Sequence, residues 1–135
     1  MGDLSKNFSK SEFRCRCGTC GLDGSAMSSE VVVVLELVRS HFAAISPRGK
    51  AKITINSGHR CPRWNTVVGG WPSSKHLSAI AADIVVSELC HNGEWREIPA
   101  QFVADYLDRM FPDTYGIGSY STFTHVDTRG EKARW

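Results

Sequence analysis

The sequence predicts an α+β fold, a small antiparallel sheet flanked by helices. Two observations carry that expectation. Segments 29–44 and 99–110 repeat apolar residues at the 3–4 spacing of an amphipathic helix. Between and after them come short alternating or apolar runs bounded by Gly, Pro and Ser, as strands joined by turns would be. The 135 residues are 41% hydrophobic and 22% charged, enough apolar side chain to bury a core, so 1–135 reads as a single domain. The same balance excludes a disordered chain, a collagen-like repeat and a coiled coil.

The elements follow in order. Residues 1–28 read as an irregular segment packed on the core, with Phe13 as its anchoring aromatic. From Ser29 to Ala44, residues Val31, Val34, Leu35, Val38 and Phe42 share one helical face, with Glu36, Arg39 and Ser40 opposite. Four successive valines would also suit a strand, because β-branching restricts χ1 in a helix. Length and spacing decide for helix. Pro47-Arg48-Gly49 breaks the chain, and Lys52 to Asn56 alternates as a strand. Pro62 to Val67 is a short helix with Pro62 in its first turn, 69–74 is a loop, and Ala79 to Val86 is a buried strand. After a polar connection, Cys90 to Glu94, a second helix opens at Pro99. It lines Phe102, Val103, Tyr106, Leu107 and Met110 along one face, and Pro112-Asp113 ends it. Tyr115–Gly118 and Thr122–Thr128 read as the last two strands.

Charge narrows the function classes. Sixteen Lys+Arg against fourteen Asp+Glu leave +2, too balanced to imply a nucleic-acid partner. The longest apolar run, Val31 to Leu35, falls far short of the roughly 20 residues that span a bilayer, so no membrane insertion is expected. The first residues lack the apolar stretch of a secretory signal, so synthesis in the cytoplasm is expected; a monomer is expected as well.

Three residues stand out chemically. Asp83 lies between Ala82 and Ile84 in an apolar strand, where a carboxylate is costly unless paired or bound to a cation. His76 precedes it by seven positions, at the end of a Gly/Pro/Ser loop, and His125 lies in the strand-like run Phe123–Thr128. Two imidazoles and a carboxylate make a ligand set for one catalytic zinc, with a fourth position left open. By strand alternation Asp127 shares the face of His125, where it can orient a ligand imidazole or accept a proton; both roles are open.

The surrounding motifs are more specific. Ser57-Gly-His-Arg-Cys-Pro-Arg-Trp-Asn65, Gly69-Gly70, Ser74-Lys-His76 through Asp83, and Gly116-Ile-Gly118 followed by Phe123-Thr-His125-Val-Asp127 stand in that order. Together they resemble the D-Ala-D-Ala peptidase and Hedgehog-like superfamily, and most closely its small phage and bacterial members that cut peptidoglycan stem peptides. The likeness covers about residues 52–135, and the segment from Phe8 to Cys20 also looks like the start of such proteins. The resemblance implies zinc held by His76, Asp83 and His125, and an Arg60 that contacts substrate oxygen. It implies hydrolysis of peptidoglycan stem peptides or cross-links by a phage lysis or virion-associated enzyme acting on the cell wall. A metal-containing wall-binding module without turnover is the alternative.

Departures from the family pattern matter. Several members carry an acidic residue three positions before the last ligand His; here that position is Thr122, so the general base is open. His59 stands for the usual Tyr or Phe, with pocket lining, proton transfer and stacking all open to it. Trp71, in the loop leading to His76, is the aromatic expected to shape a peptide groove, while Arg129, Lys132 and Arg134 read as a solvated basic edge.

Five cysteines and no visible signal do not suggest a secreted disulfide framework. Cys15-Arg-Cys17-Gly-Thr-Cys20 has the look of half a zinc knuckle, for which Cys90, His91 or His41 are candidate fourth ligands. Free thiols are the favoured reading, with a disulfide or a structural zinc open.

Overall fold

A computed structural model describes residues 2–135. Three α-helices pack with a six-stranded sheet. Helix α1 spans Ser29–Ile45, β1 Ala51–Ser57, α2 Pro62–Val67, β2 Ala81–Leu89 and β3 Trp95–Glu97. Then come α3 at Ala100–Met110, β4 at Gly116–Ser119, β5 at Thr124–Asp127 and β6 at Ala133–Arg134. The strand order is β1-β2-β5-β4-β6, with β3 on the far end of β2. Neighbours are antiparallel except β4 and β6.

The two-residue period of a strand divides the sheet into faces. One face carries Ile53, Ile55, Ala82, Ile84, Val86, Ile117 and Val126, all buried in the core. Val31, Leu35, Val38 and Phe42 of α1 and Val103 and Leu107 of α3 belong to the same core. Helix α1 starts at Ser28, whose hydroxyl accepts from the Glu30 N–H and satisfies one free donor of the first turn. The opposite face carries Asp83, His125 and Asp127.

Several sequence expectations shift. The strand foreseen at Ala79 starts at Ala81, because Ala79 is left-handed (φ 58°) and its N–H closes a 3-10 turn onto His76. Tyr115 also has positive φ, so β4 begins one residue late. Phe102 is 60% exposed and Met110 49% exposed, against the apolar face assigned to them. Phe102 sits about 100° around the helix from Val103, and Met110 lies in the last turn before the exposed Pro112. Strands β3 and β6 were unforeseen: the first is exposed throughout and the second has two residues, so neither shows alternation.

Residues 2–28 are largely irregular but firmly attached. Phe8 and Phe13 are among the most buried side chains, and Lys10–Phe13 form a 3-10 turn. Glu36 on α1 clasps the segment: Ser5 Oγ donates at 2.6 Å, Asn7 Nδ2 at 2.7 Å and the Asn7 N–H at 2.9 Å. Burial alone would raise the Glu36 carboxyl, but these donors outweigh it and hold its pKa below the ordinary value. A depressed folded pKa means that the clasp contributes fully above the unfolded carboxyl pKa and is lost as pH falls through the folded value. Glu36→Gln should therefore cost about 2 kcal/mol near neutral pH, measured by denaturant unfolding. The gap to wild type should narrow as the titration is carried below pH of about 4. A constant gap across that range would exclude the charge as the source.

Candidate metal centre

Sheet register builds the centre. Ser57 on β1, Asp83 on β2, His125 on β5 and Gly118 on β4 are cross-strand neighbours in one row. Asp83 Oδ1 thus lies 2.9 Å from His125 Nδ1. His76 arrives from the 3-10 turn Lys75–Ser78, whose cap, Ser74, accepts the His76 N–H. His76 Nδ1 is 2.7 Å from the Gly58 carbonyl. A carbonyl can only accept, so Nδ1 carries the proton and Nε2 presents a lone pair.

That lone pair is the deciding feature for a metal. His76 Nε2 is buried without a hydrogen-bond partner among the described residues, although Asp83 Oδ1 lies 3.2 Å away. Two electron-rich atoms so placed call for a cation between them. His125 repeats the pattern, since its Nε2 lies 2.7 Å from Asp127 Oδ2 while Nδ1 faces Asp83. A neutral imidazole has one N–H and can serve only one of those carboxylates. Donation to Asp127 leaves the Nδ1 lone pair free for a metal. One donor atom from each of His76, Asp83 and His125 lies within 4.8 Å of the other two, and two nitrogens with one carboxylate oxygen fit zinc.

The field between these groups favours positive charge, the charge a bound cation would bring. Burial disfavours a charged His125, yet Asp127 and Asp83 outweigh it and raise its pKa. Burial likewise works against an ionised Asp83, and the two imidazoles overcome it, holding the carboxyl well below its usual range.

Asp127 is wholly buried. Its Oδ1 accepts the Arg129 N–H at 3.2 Å and Nε at 2.7 Å, while Oδ2 accepts Arg129 Nη2 at 2.9 Å as well as His125. Desolvation is outweighed by His125 and Arg129, so this carboxyl also stays well below its ordinary value. Gly116 makes room for the arrangement, because a Cβ there would overlap the Asp127 carboxylate and Arg129 Nε. Arg129 is therefore part of the site and not a solvated edge, and its guanidinium lies 5.3 Å from the Trp135 ring. Arg134 is likewise engaged, with Asp108 and the carbonyls of Phe111, Thr114 and Tyr115.

Arg60 reaches the same row from the turn after β1. Its Nε donates to Ser57 Oγ at 3.0 Å, Nη1 to Asn65 Oδ1 at 3.1 Å and Nη2 to Asp83 Oδ2 at 3.3 Å. A guanidinium has five N–H donors, so two remain for a ligand in the cleft. Asn65, to which the sequence reading gave no role, is buried and also donates to the Trp71 carbonyl at 2.8 Å. A Cβ on Gly70 would run into Asn65, so this glycine is required by close approach.

These groups open into a cleft of about 720 Å³. Trp71 stands on one wall, 81% exposed, and Tyr120, Phe123 and Trp135 form the other. Tyr120 stacks on Phe123 at 4.4 Å and accepts from Trp135 Nε1 at 2.8 Å, a wall that sequence spacing could not reveal. His59 does not line the cleft; its backbone N–H is bound to the Phe13 carbonyl. Thr122 is exposed. The cysteine trio meets Cys61, and not Cys90, His91 or His41 as considered from sequence.

The family model for Peptidase M15 matches residues 6–127. The chain belongs to that family. A comparison with curated proteins finds no match. M15 peptidases form the zinc D-Ala-D-Ala peptidase superfamily and are zinc-dependent, which agrees with the donor set found in this M15 chain. The family match extends to residue 6, well before the motifs at 52–135, so the N-terminal segment is part of the M15 domain pattern.

Asp127→Asn in this M15 peptidase should lower zinc affinity by about 10- to 100-fold, measured by competition with a chromogenic chelator. The neutral amide no longer draws the His125 proton to Nε2. Unchanged affinity would remove Asp127 from the metal site.

Proposed function

We propose that this M15 peptidase uses one zinc ion to hydrolyse amide bonds in peptidoglycan stem peptides or cross-links. The observation that carries the reading is the convergence of two imidazole lone pairs and the Asp83 carboxylate beside the free Arg60 donors, on the floor of an open cleft. What zinc supplies when bound by His76, Asp83 and His125 is Lewis acidity, polarising a carbonyl and making water a better nucleophile.

The chain's own residues supply the rest. Arg60 offers two fixed N–H donors to a substrate carboxylate or to the developing oxyanion of the attacked carbonyl. Ser57 and Asn65 hold that fork, so it need not reorganise during the reaction. Asp127 acts as a positioning residue: its acceptor sites are occupied, and it fixes the His125 proton on Nε2. Lys75, Arg60 and Arg129 make the lining basic, which suits a peptide ending in carboxylate. Trp71 on one wall and Tyr120 on the other can flank an extended chain. The motif likeness to small phage and bacterial wall peptidases supports a lysis or virion-associated setting.

One observation favours a second reading, a wall-binding module without turnover. Asp83 is the sole carboxylate side chain lining the cleft among the described residues, and Thr122 offers no base.

Purified peptidoglycan incubated with zinc-loaded protein and analysed by mass spectrometry separates the two. New fragments absent with His76→Ala are the expected result, and their masses name the bond. Arg60→Lys should lower kcat/KM by about 10²- to 10³-fold, because the forked donors are lost while charge is kept. Intact muropeptides across several wall chemotypes, from protein carrying zinc, would leave the binding module.

A further inference from the structure

We propose that Cys15, Cys17, Cys20 and Cys61 form a second metal site, a closed tetrathiolate that holds one structural zinc ion. One sulfur from each lies within 4.8 Å of the other three, and the Cys61–Cys17 pair is 3.9 Å apart. Zinc bound to four thiolates at about 2.3 Å sets tetrahedral sulfur–sulfur edges of about 3.8 Å. A disulfide would instead need about 2.05 Å. All five cysteines are free, and these four converge on one point instead of pairing off.

The backbone is shaped for the task. Gly18 and Gly21, each directly after a cysteine, have φ of 75° and 80°, and neither would meet an obstacle on gaining a Cβ. Their conformation, not space, therefore demands glycine. The Cys15 N–H closes the loop onto the Leu22 carbonyl at 2.9 Å. Cys61 comes from the far side of the sequence, where it caps α2.

Amide donors point at three of the four sulfurs. The Cys61 N–H lies 3.4 Å from Cys15 Sγ, the Trp64 N–H 3.4 Å from Cys61 Sγ and the Thr19 N–H 3.5 Å from Cys17 Sγ. A neutral thiol is a weak acceptor, whereas a thiolate held on a metal carries the charge that such donors stabilise. Four thiolates on a divalent ion leave a net charge of −2. Arg14 and Arg16 alternate with the first cysteines, and Arg60 and Arg63 flank the fourth. With all four positions taken by protein, the site has no opening for substrate, so its role is structural. It ties the N-terminal segment to the turn that carries Arg60.

The test is a metal count on the full chain, purified under reducing conditions from zinc-supplemented cells without a chelating tag. Wild type should hold two zinc ions per chain. The double variant His76→Ala with His125→Ala should keep one, and Cys17→Ser with Cys20→Ser should keep the other. If the cysteine variant fails to fold, X-ray absorption on the histidine variant still decides. Its zinc should show a shell of four sulfurs at about 2.3 Å. One zinc in wild type that disappears in the histidine variant overturns the site. So does a nitrogen or oxygen shell, iron in place of zinc, or a disulfide among these cysteines found by alkylation and mass analysis.

Discussion

The pairing of β2 with β5 sets Asp83 opposite His125, and everything at the centre depends on that register. A shift of one residue would turn Asp83 into the apolar core and Ile84 or Ala82 into the cleft. The helices oppose such a slip, because α1 and α3 pack on the face that carries Ile84, Val86 and Val126. Burial of hydrocarbon on one face thus places polar ligands on the other. The second row, Ala81, Asp127 and Gly116, follows from the same pairing and seats the residue that orients His125.

Much of this was legible in the sequence because it depends on period and burial cost. The valine-rich helix and the strand around Asp83 follow from spacing, and a carboxylate between Ala82 and Ile84 announces a partner. The shared face of His125 and Asp127 follows from alternation, and in the fold they meet at 2.7 Å. What escaped was set by tertiary contact. Arg129 looks like one more surface cation until the turn after β5 folds it back onto Asp127. Asn65 lies in a quoted motif, yet nothing local shows that its amide will bridge Arg60 and the Trp71 carbonyl. Cys61 stands 46 residues from Cys15, beyond the reach of spacing rules.

Phe102 and Met110 erred in the other direction. Helical periodicity assigns a face to every residue, but a face is buried only where something covers it. The short α3 covers the sheet with Val103, Ala104, Tyr106 and Leu107, and its flank and last turn stay in solvent.

The cleft is assembled from two kinds of material. Its floor is sheet, where Gly118 in the first row and Gly116 in the second admit no side chain, since a Cβ would strike the Trp135 indole or Asp127. Its walls are connections: residues 68–74 on one side and 120–123 on the other. Such segments tolerate replacement far better than a packed sheet does. Trp71, four-fifths exposed, buries little that folding requires. Drift in the chain can therefore remodel what the cleft grips while the machinery beneath stays fixed, and substrate range and chemistry can evolve along separate routes.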